Sequence, residues 1–160
     1  MITASHNPNG WSGVKLSNNY SYTIIGDEVQ EIYKLILADD FCKDKGNYEQ
    51  SSITEPYKEM IKSKIKMNGK KPLKIVVECG NGTAGAFAPE IFRAIGCDVT
   101  EIFCNLDATF PHHNPDPEKK IAKEVVAAKV KEVGADIGIA IDGDGDRLGV
   151  VDEKGNNIWS

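Results

Sequence analysis

The apolar positions of this chain keep one period and then exchange it for another. Val29, Ile32, Tyr33, Ile36 and Leu37 recur at i, i+3, i+4, i+7 and i+8, a spacing that lays a single stripe along an α-helix. Asp27, just ahead of them, is placed to cap that helix. Upstream, Gly13 to Leu16 and Tyr20 to Ile25 flank Asn18-Asn19 and predict a short strand pair. Lys43 to Gln50 holds almost nothing to bury and reads as a linker. Ser52 and Glu55 have capping-box spacing, with Tyr57, Met60, Ile61 and Ile65 on one side of the helix that would succeed them. From there strand-like and helix-like patterns alternate: Leu73 to Glu78, Ala84 to Ile95, Asp98 to Phe103, Glu118 to Val133, Asp136 to Ile141. That βαβαβ rhythm predicts an α/β fold, a mainly parallel sheet with helices on its faces, preceded by a partial α/β segment. Leu148 to Asp152, a turn over Glu153 to Asn156 and a return at Ile158-Trp159 predict a closing hairpin. Met1-Ile2 runs straight into loop-like Thr3 to Pro8, so both ends read as cut inside an element, and an excerpt of something longer is expected.

Composition narrows the field of partners. With 160 residues, 41% of them hydrophobic, the chain can build a real core. A formal charge of -5 argues against nonspecific attraction to nucleic acid or to an anionic membrane, and no apolar run approaches the ~18 residues a membrane span needs. Cys42, Cys79, Cys97 and Cys104 form no C-x-x-C pair and no zinc spacing. They read as reduced thiols of a cytoplasmic protein, most of them packed in strands or helices.

The chemistry gathers in four stretches. "DGDGDR", Asp142 to Arg147, crowds three carboxylates onto alternate positions of one loop. Like charges so close resist joint ionisation unless a cation sits among them. Gly143 and Gly145 let the backbone curl so that Asp142, Asp144 and Asp146 converge, a donor set for a hard divalent ion. The loop leaves the carboxyl end of a predicted strand, where ligands of parallel sheets collect. Glu153 at position twelve mimics an EF-hand, but Arg147 stands where that loop needs glycine, and strand-like runs flank it instead of helices. "TASHNP" holds Ser5 between Ala4 and His6 on a turn, exposed enough to be a nucleophile or a phosphorylated side chain, and Lys15 lies ten residues on. "GNGTAG", Gly80 to Gly85, satisfies G-x-G-x-x-G and admits two readings: a nucleotide site, or a close strand-to-helix crossover that needs small residues. "FPHHNPDPE" offers His112-His113, adjacent and therefore divergent, in a loop braced by prolines. Trp11 and Trp159 read as packing residues.

Taken in order, TASHNP with Lys15, ECGNGTAG, FPHHNPDPE and DGDGDR resemble the α-D-phosphohexomutase superfamily, the phosphoglucomutase and phosphomannomutase group. The resemblance spans essentially the whole chain, yet only part of a four-domain protein. It implies the end of domain one over residues 1–46 and most of domain two over residues 47–160, with the other domains of the same polypeptide as missing partners. By that resemblance Ser5 carries the transferable phosphoryl group. Asp142, Asp144 and Asp146 hold Mg2+ together with a phosphoserine oxygen. Arg147 stands beside the metal loop, and His6 and Lys15 line the transfer site, Lys15 as general acid/base. The implied activity interconverts glucose or mannose 1- and 6-phosphates through a hexose 1,6-bisphosphate, and these 160 residues alone are expected to be nearly inactive. The rival expectations are a Rossmann-type nucleotide module using Gly80, Gly82 and Gly85, and a purely structural domain.

Overall fold

The computed structural model describes residues 1–69 and 71–159. It divides into two compact units, Met1–Thr3 with Ser12–Ser52, and Ala4–Trp11 with Ile53–Ser160.

In the first unit, β1 (Ser17–Asn18) pairs antiparallel with β2 (Tyr22–Thr23). Asn19, Tyr20 and Ser21 all take positive φ, so the turn consumes residues expected to be strand, and the pair is shorter than the pattern predicts. From Gly13 to Leu16, the predicted strand contributes only the bridge between Val14 and Ile2. Helix α1 (Asp27–Leu37) is entered through Gly26 at φ 57. Asp27 therefore lies inside the first turn instead of capping it, and with Glu28 it complements the positive end of the helix dipole. No residue of α1 is buried, and Tyr33, Ile36 and Leu37 of its apolar stripe lie open.

The second unit begins with α2 (Thr54–Lys64). Its N-cap is Ile53 with no side-chain cap bond, so the expected Ser52–Glu55 box does not form: the helix starts too late for Ser52 to reach its amides. β3 (Lys74–Glu78) comes next, then a 3-10 turn over Thr83–Ala86 and α3 (Ala88–Ala94). The pattern predicted one helix from Ala84 to Ile95. The break comes at Phe87, whose φ of -131 is not helical. β4 (Asp98–Ile102), α4 (Lys120–Val133), β5 (Ile137–Ile141), β6 (Leu148–Asp152) and β7 (Asn157–Trp159) complete the unit. α4 begins later than expected because Asp116 draws the chain into a turn, its side chain accepting the Glu118 N–H and its carbonyl the Lys119 N–H. It ends at Gly134, which takes the left-handed conformation usual there.

The sheet runs β4-β3-β5-β6-β7, with β4, β3 and β5 parallel and the last two strands added antiparallel. Each face carries its own core. Val126 and Val130 of α4 bury against Val76, Ile102, Ala140 and Val151, whereas Ile75, Val77 and Cys79 meet Ala84, Ala88 and Phe92 on the other side. Hydrophobic side chains on both faces are what a parallel sheet flanked by helices demands. Trp11 does not pack as expected: it is 67% exposed on a loop. Trp159 extends β7, and its side chain lies outside the described residues. All four cysteines are free, but none lies within a strand or helix: Cys79, Cys97 and Cys104 sit at strand ends and Cys42 in an exposed loop.

Candidate functional site

The antiparallel register of β5 and β6 pairs Ile141 with Leu148 and leaves Asp142 to Arg147 as the connecting loop at the carboxyl end of β5. Strands, not helices, flank it, which removes the EF-hand reading. Asp142 is completely buried at the base of the loop. Its Oδ1 accepts the backbone N–H groups of Asp146 at 2.9 Å and Arg147 at 3.0 Å, and its Oδ2 accepts Arg147 Nε at 3.1 Å and Nη2 at 3.0 Å. Burial pushes the Asp142 carboxyl up, and the bonds from Arg147 oppose it. Asp144 is half-buried and Asp146 exposed, and one carboxylate oxygen from each of the three aspartates lies within 4.8 Å of the others. Oxygen donors converging at that spacing suit a hard divalent cation such as Mg2+.

Ser5 is turned toward this loop. At φ 53 it occupies the left-handed region, which costs a non-glycine residue energy. Ser5 Oγ donates to Asp144 Oδ1 at 3.4 Å, accepts from Arg147 Nη2 at 3.2 Å and lies 3.3 Å from His6 Nδ1. Arg147 Nη2 also meets His6 Nδ1. The structure thus unites Ser5, His6, Asp142, Asp144, Asp146 and Arg147 although more than 130 residues separate the two loops. Lys15 belongs to the other unit, where its backbone N–H donates to the Met1 carbonyl at 2.9 Å.

The supporting contacts come from motifs whose part in the site was not legible in the sequence. Thr83 anchors the acidic loop by donating its N–H (3.0 Å) and hydroxyl (2.9 Å) to the Gly143 carbonyl. Pro115 O accepts the Gly143 N–H at 3.1 Å, and Asn114 Nδ2 donates to His6 O at 2.5 Å. Nothing local marks Asn114 for this part, because the carbonyl it serves lies 108 residues away. The glycines of GNGTAG face the protein itself. A Cβ at Gly80 would come within 2.8 Å of Pro115 Cβ, one at Gly82 within 2.9 Å of Gly143 Cα, and one at Gly85 would strike the Cys104 carbonyl. The Thr83 and Gly85 amides are likewise engaged by Gly143 O and Gly82 O. This is a close crossover whose small residues seat the acidic loop, with its space and donors already used where a pyrophosphate would need them.

An α/β unit thus sets a cation-type carboxylate loop against a serine in the left-handed conformation. Two family models match: Phosphoglucomutase/phosphomannomutase, alpha/beta/alpha domain I, over residues 1–43, and alpha/beta/alpha domain II over residues 55–155. The chain belongs to the phosphoglucomutase/phosphomannomutase family. It is 42% identical over 159 residues to a phosphomannomutase/phosphoglucomutase of Pseudomonas syringae pv. tomato, covering 99% of this chain and 34% of that protein. The crystal structure of a family member from Burkholderia thailandensis superimposes with a TM-score of 0.90 at 42% identity, across 98% of this chain and 34% of that one. An Aspergillus fumigatus N-acetylphosphoglucosamine mutase, solved with GlcNAc-6P and magnesium, shares the fold at a TM-score of 0.57 and 17% identity over 99% of this chain and 44% of its own. The chain spans about a third of the length of the curated relative it matches. Among the described residues no helix is long and apolar enough to cross a membrane.

Proposed function

We propose that these residues are the phosphoserine and metal portion of a cytoplasmic, Mg2+-dependent sugar phosphomutase that interconverts hexose 1- and 6-phosphates, glucose and mannose being the favoured sugars. The observation that carries this reading is Ser5 Oγ, 3.4 Å from Asp144 Oδ1 and 3.2 Å from Arg147 Nη2 at the mouth of the carboxylate cluster. Asp142, Asp144 and Asp146, with an oxygen of the phosphorylated Ser5, would hold the ion, which supplies charge neutralisation to the phosphoryl group. The protein's own part is placement. Arg147, pinned by Asp142, directs a guanidinium N–H at the Ser5 oxygen and would offset the charge left there as the Ser5 O–P bond breaks. His6 keeps its ring beside that oxygen. A new O–P bond forms to a sugar hydroxyl, whose proton is assigned to Lys15, and the reverse step from the hexose 1,6-bisphosphate returns a phosphoryl group to Ser5.

Sugar recognition is assigned to further domains of a longer polypeptide, with residues 1–46 closing a first domain and 47–160 forming most of a second. The hexose phosphate and its bisphosphate are the partners, and nucleic acid and membrane are not. The test is phosphoryl uptake. Full-length protein incubated with glucose 1,6-bisphosphate and Mg2+ gains one phosphate on the peptide containing Ser5, read by mass spectrometry, and Ser5→Ala gains none while keeping its circular dichroism. Uptake by Ser5→Ala at the wild-type level refutes the role of Ser5. Sustained mutase turnover by the 160 residues alone refutes the need for further domains.

A further inference from the structure

Beneath the Ser5 and Asp142 loops lies a buried pair that the phosphoryl-transfer reading leaves unused. Glu78, 1% exposed at the end of β3, stands with Oε1 3.3 Å from His113 Nε2, whose side chain is 4% exposed. The same Oε1 accepts the Gly80 N–H at 2.5 Å. His113 Nδ1 lies 2.9 Å from the Asn114 carbonyl, which can only accept, so Nδ1 carries a proton. Nε2 then faces a carboxylate at ion-pair distance, off the axis of an aligned hydrogen bond and with no other partner. A lone pair there would be repelled, so a proton lies between Glu78 and His113, and the two form one neutral, buried unit. His112 turns the opposite way, stacked on Phe103 with ring centroids 3.6 Å apart and bonded to Asn81 Oδ1 at 2.8 Å.

The two residues after His113 join both halves of the site. Asn114 holds the serine loop through His6 O, and Pro115 holds the acidic loop through the Gly143 N–H. Pro115 also lies against Gly80, leaving no room for a side chain there. Gly143 in turn has the Ser5 carbonyl against its Cα, again with no room for a side chain. The segment is thus pinned to β3 at one end and hands a single frame to two loops distant in sequence.

We infer that Glu78 and His113, acting through Asn114 and Pro115, are positioning residues that set the separation between Ser5 Oγ and the carboxylate cluster, an inference that rests on Ser5 being the phosphoryl carrier. Neither touches the reacting atoms. Loss of the pair frees the bracket, and the serine oxygen is then misplaced relative to the cluster while Asp142 still ties the acidic loop together through the Asp146 and Arg147 N–H groups. Rate therefore falls and cation affinity does not.

The decisive set is His113→Leu, Glu78→Gln and Asn114→Ala in the full-length protein, assayed for kcat, for KM and for Mn2+ affinity by paramagnetic resonance. A misplacement near 1 Å costs about 100-fold in rate, so His113→Leu and Asn114→Ala lower kcat by about that factor, with KM and Mn2+ affinity within about threefold of wild type. Glu78→Gln places a single amide atom where Oε1 now serves both partners: as an oxygen it keeps the Gly80 N–H but cannot donate to a neutral His113 Nε2, and as an NH2 group it can donate but loses the Gly80 N–H, so kcat is expected to fall as in His113→Leu, with KM and Mn2+ affinity within about threefold of wild type. Wild-type kcat in a folded His113→Leu overturns the inference, and so does a parallel loss of Mn2+ affinity, which would mean a role in the metal loop or the fold alone. If His113→Leu fails to fold, Asn114→Ala decides by the same criteria. Amide exchange on the 160-residue chain reads the bracket without activity. Asn114→Ala is expected to speed exchange at the Gly143 N–H and leave Val76 and Val126 protected, and unchanged exchange at Gly143 overturns the bracket. A wild-type protein that transfers no phosphoryl group condemns the functional reading instead, and the bracket then stands or falls on exchange.

Discussion

Gly82→Ala tests the seat of the acidic loop by adding one methyl group. Gly82 has φ -79 and ψ 179, a conformation open to alanine, so the backbone itself is not strained by the change. The methyl carbon would meet Gly143 Cα at 2.9 Å and both Gly143 O and Cys79 O at 3.0 Å, all backbone atoms that cannot swing away. Ordinary contact begins at 3.4 Å, so Gly143 must withdraw by 0.5 Å, the difference between 3.4 and 2.9. That shift stretches the two bonds from Thr83 to Gly143 O, now 3.0 and 2.9 Å, and carries Asp142 and Asp144 with it. Overpacking of this kind costs about 1–3 kcal/mol of stability. With about 100-fold in rate for 1 Å of misplacement, half that distance predicts a loss on the order of tenfold. Urea unfolding of the 160-residue chain measures the first effect, and single-turnover phosphorylation of Ser5 in the full-length protein the second. Gly145→Ala is the control. Its φ of +79 carries a conformational penalty, but the nearest atom is Ala84 Cβ at 3.6 Å, so stability falls by about 1 kcal/mol while Gly143 stays in place. Unchanged stability and unchanged Ser5 phosphorylation in Gly82→Ala would refute the close packing of Gly82 on Gly143. A nucleotide titration on the same variant adds a contrast: NAD bound tightly by wild type and lost in Gly82→Ala would restore the dinucleotide reading.

Three further outcomes are expected. Asp146→Asn removes one exposed carboxylate from the cluster and lowers Mn2+ affinity by about tenfold or more, measured by paramagnetic resonance, with the unfolding midpoint nearly unchanged. Gly138→Ala puts a methyl group into Val126 and within 2.7 Å of Val130 Cγ2, prying α4 from β5 at a cost of about 1–3 kcal/mol in urea unfolding. The Glu78 carboxylate holds the His113 imidazole above the usual histidine range, so the charged form stabilises the fold. That contribution is complete below the unfolded value of about 6.5 and is lost as pH rises through the higher folded value. Unfolding free energy from urea curves at successive pH values should fall over that interval for wild type, and His113→Gln should lack this part of the slope.

Much of this molecule could be read from residue order alone. The strands at Lys74–Glu78, Asp98–Ile102 and Ile137–Ile141 and the helix at Lys120–Val133 arise from apolar periodicity, because a strand buried on both faces and a helix buried on one leave different repeats. The metal-type loop was legible because three aspartates in strict alternation have few other uses, and Ser5 because a serine on an asparagine-proline turn is accessible. Local order did not reveal where helices begin. Ser52 and Asp27 carry capping side chains, yet Ile53 and Gly26 occupy the cap positions, neither with a side-chain cap bond.

Only the folded chain decided which loops meet. Ser5 and Asp144 touch across 139 residues, the serine loop is bonded by Asn114, and His113 beside Asn114 faces Glu78. No window of sequence contains those three contacts together. The same holds for the glycines of Gly80 to Gly85, whose motif also fits a phosphate cradle until the positions of Pro115, Gly143 and Cys104 are known. Periodicity records how each segment divides water from core, a property of neighbours along the chain. A site made by hydrogen bonds between distant backbones leaves no such record, and tertiary packing alone supplies it.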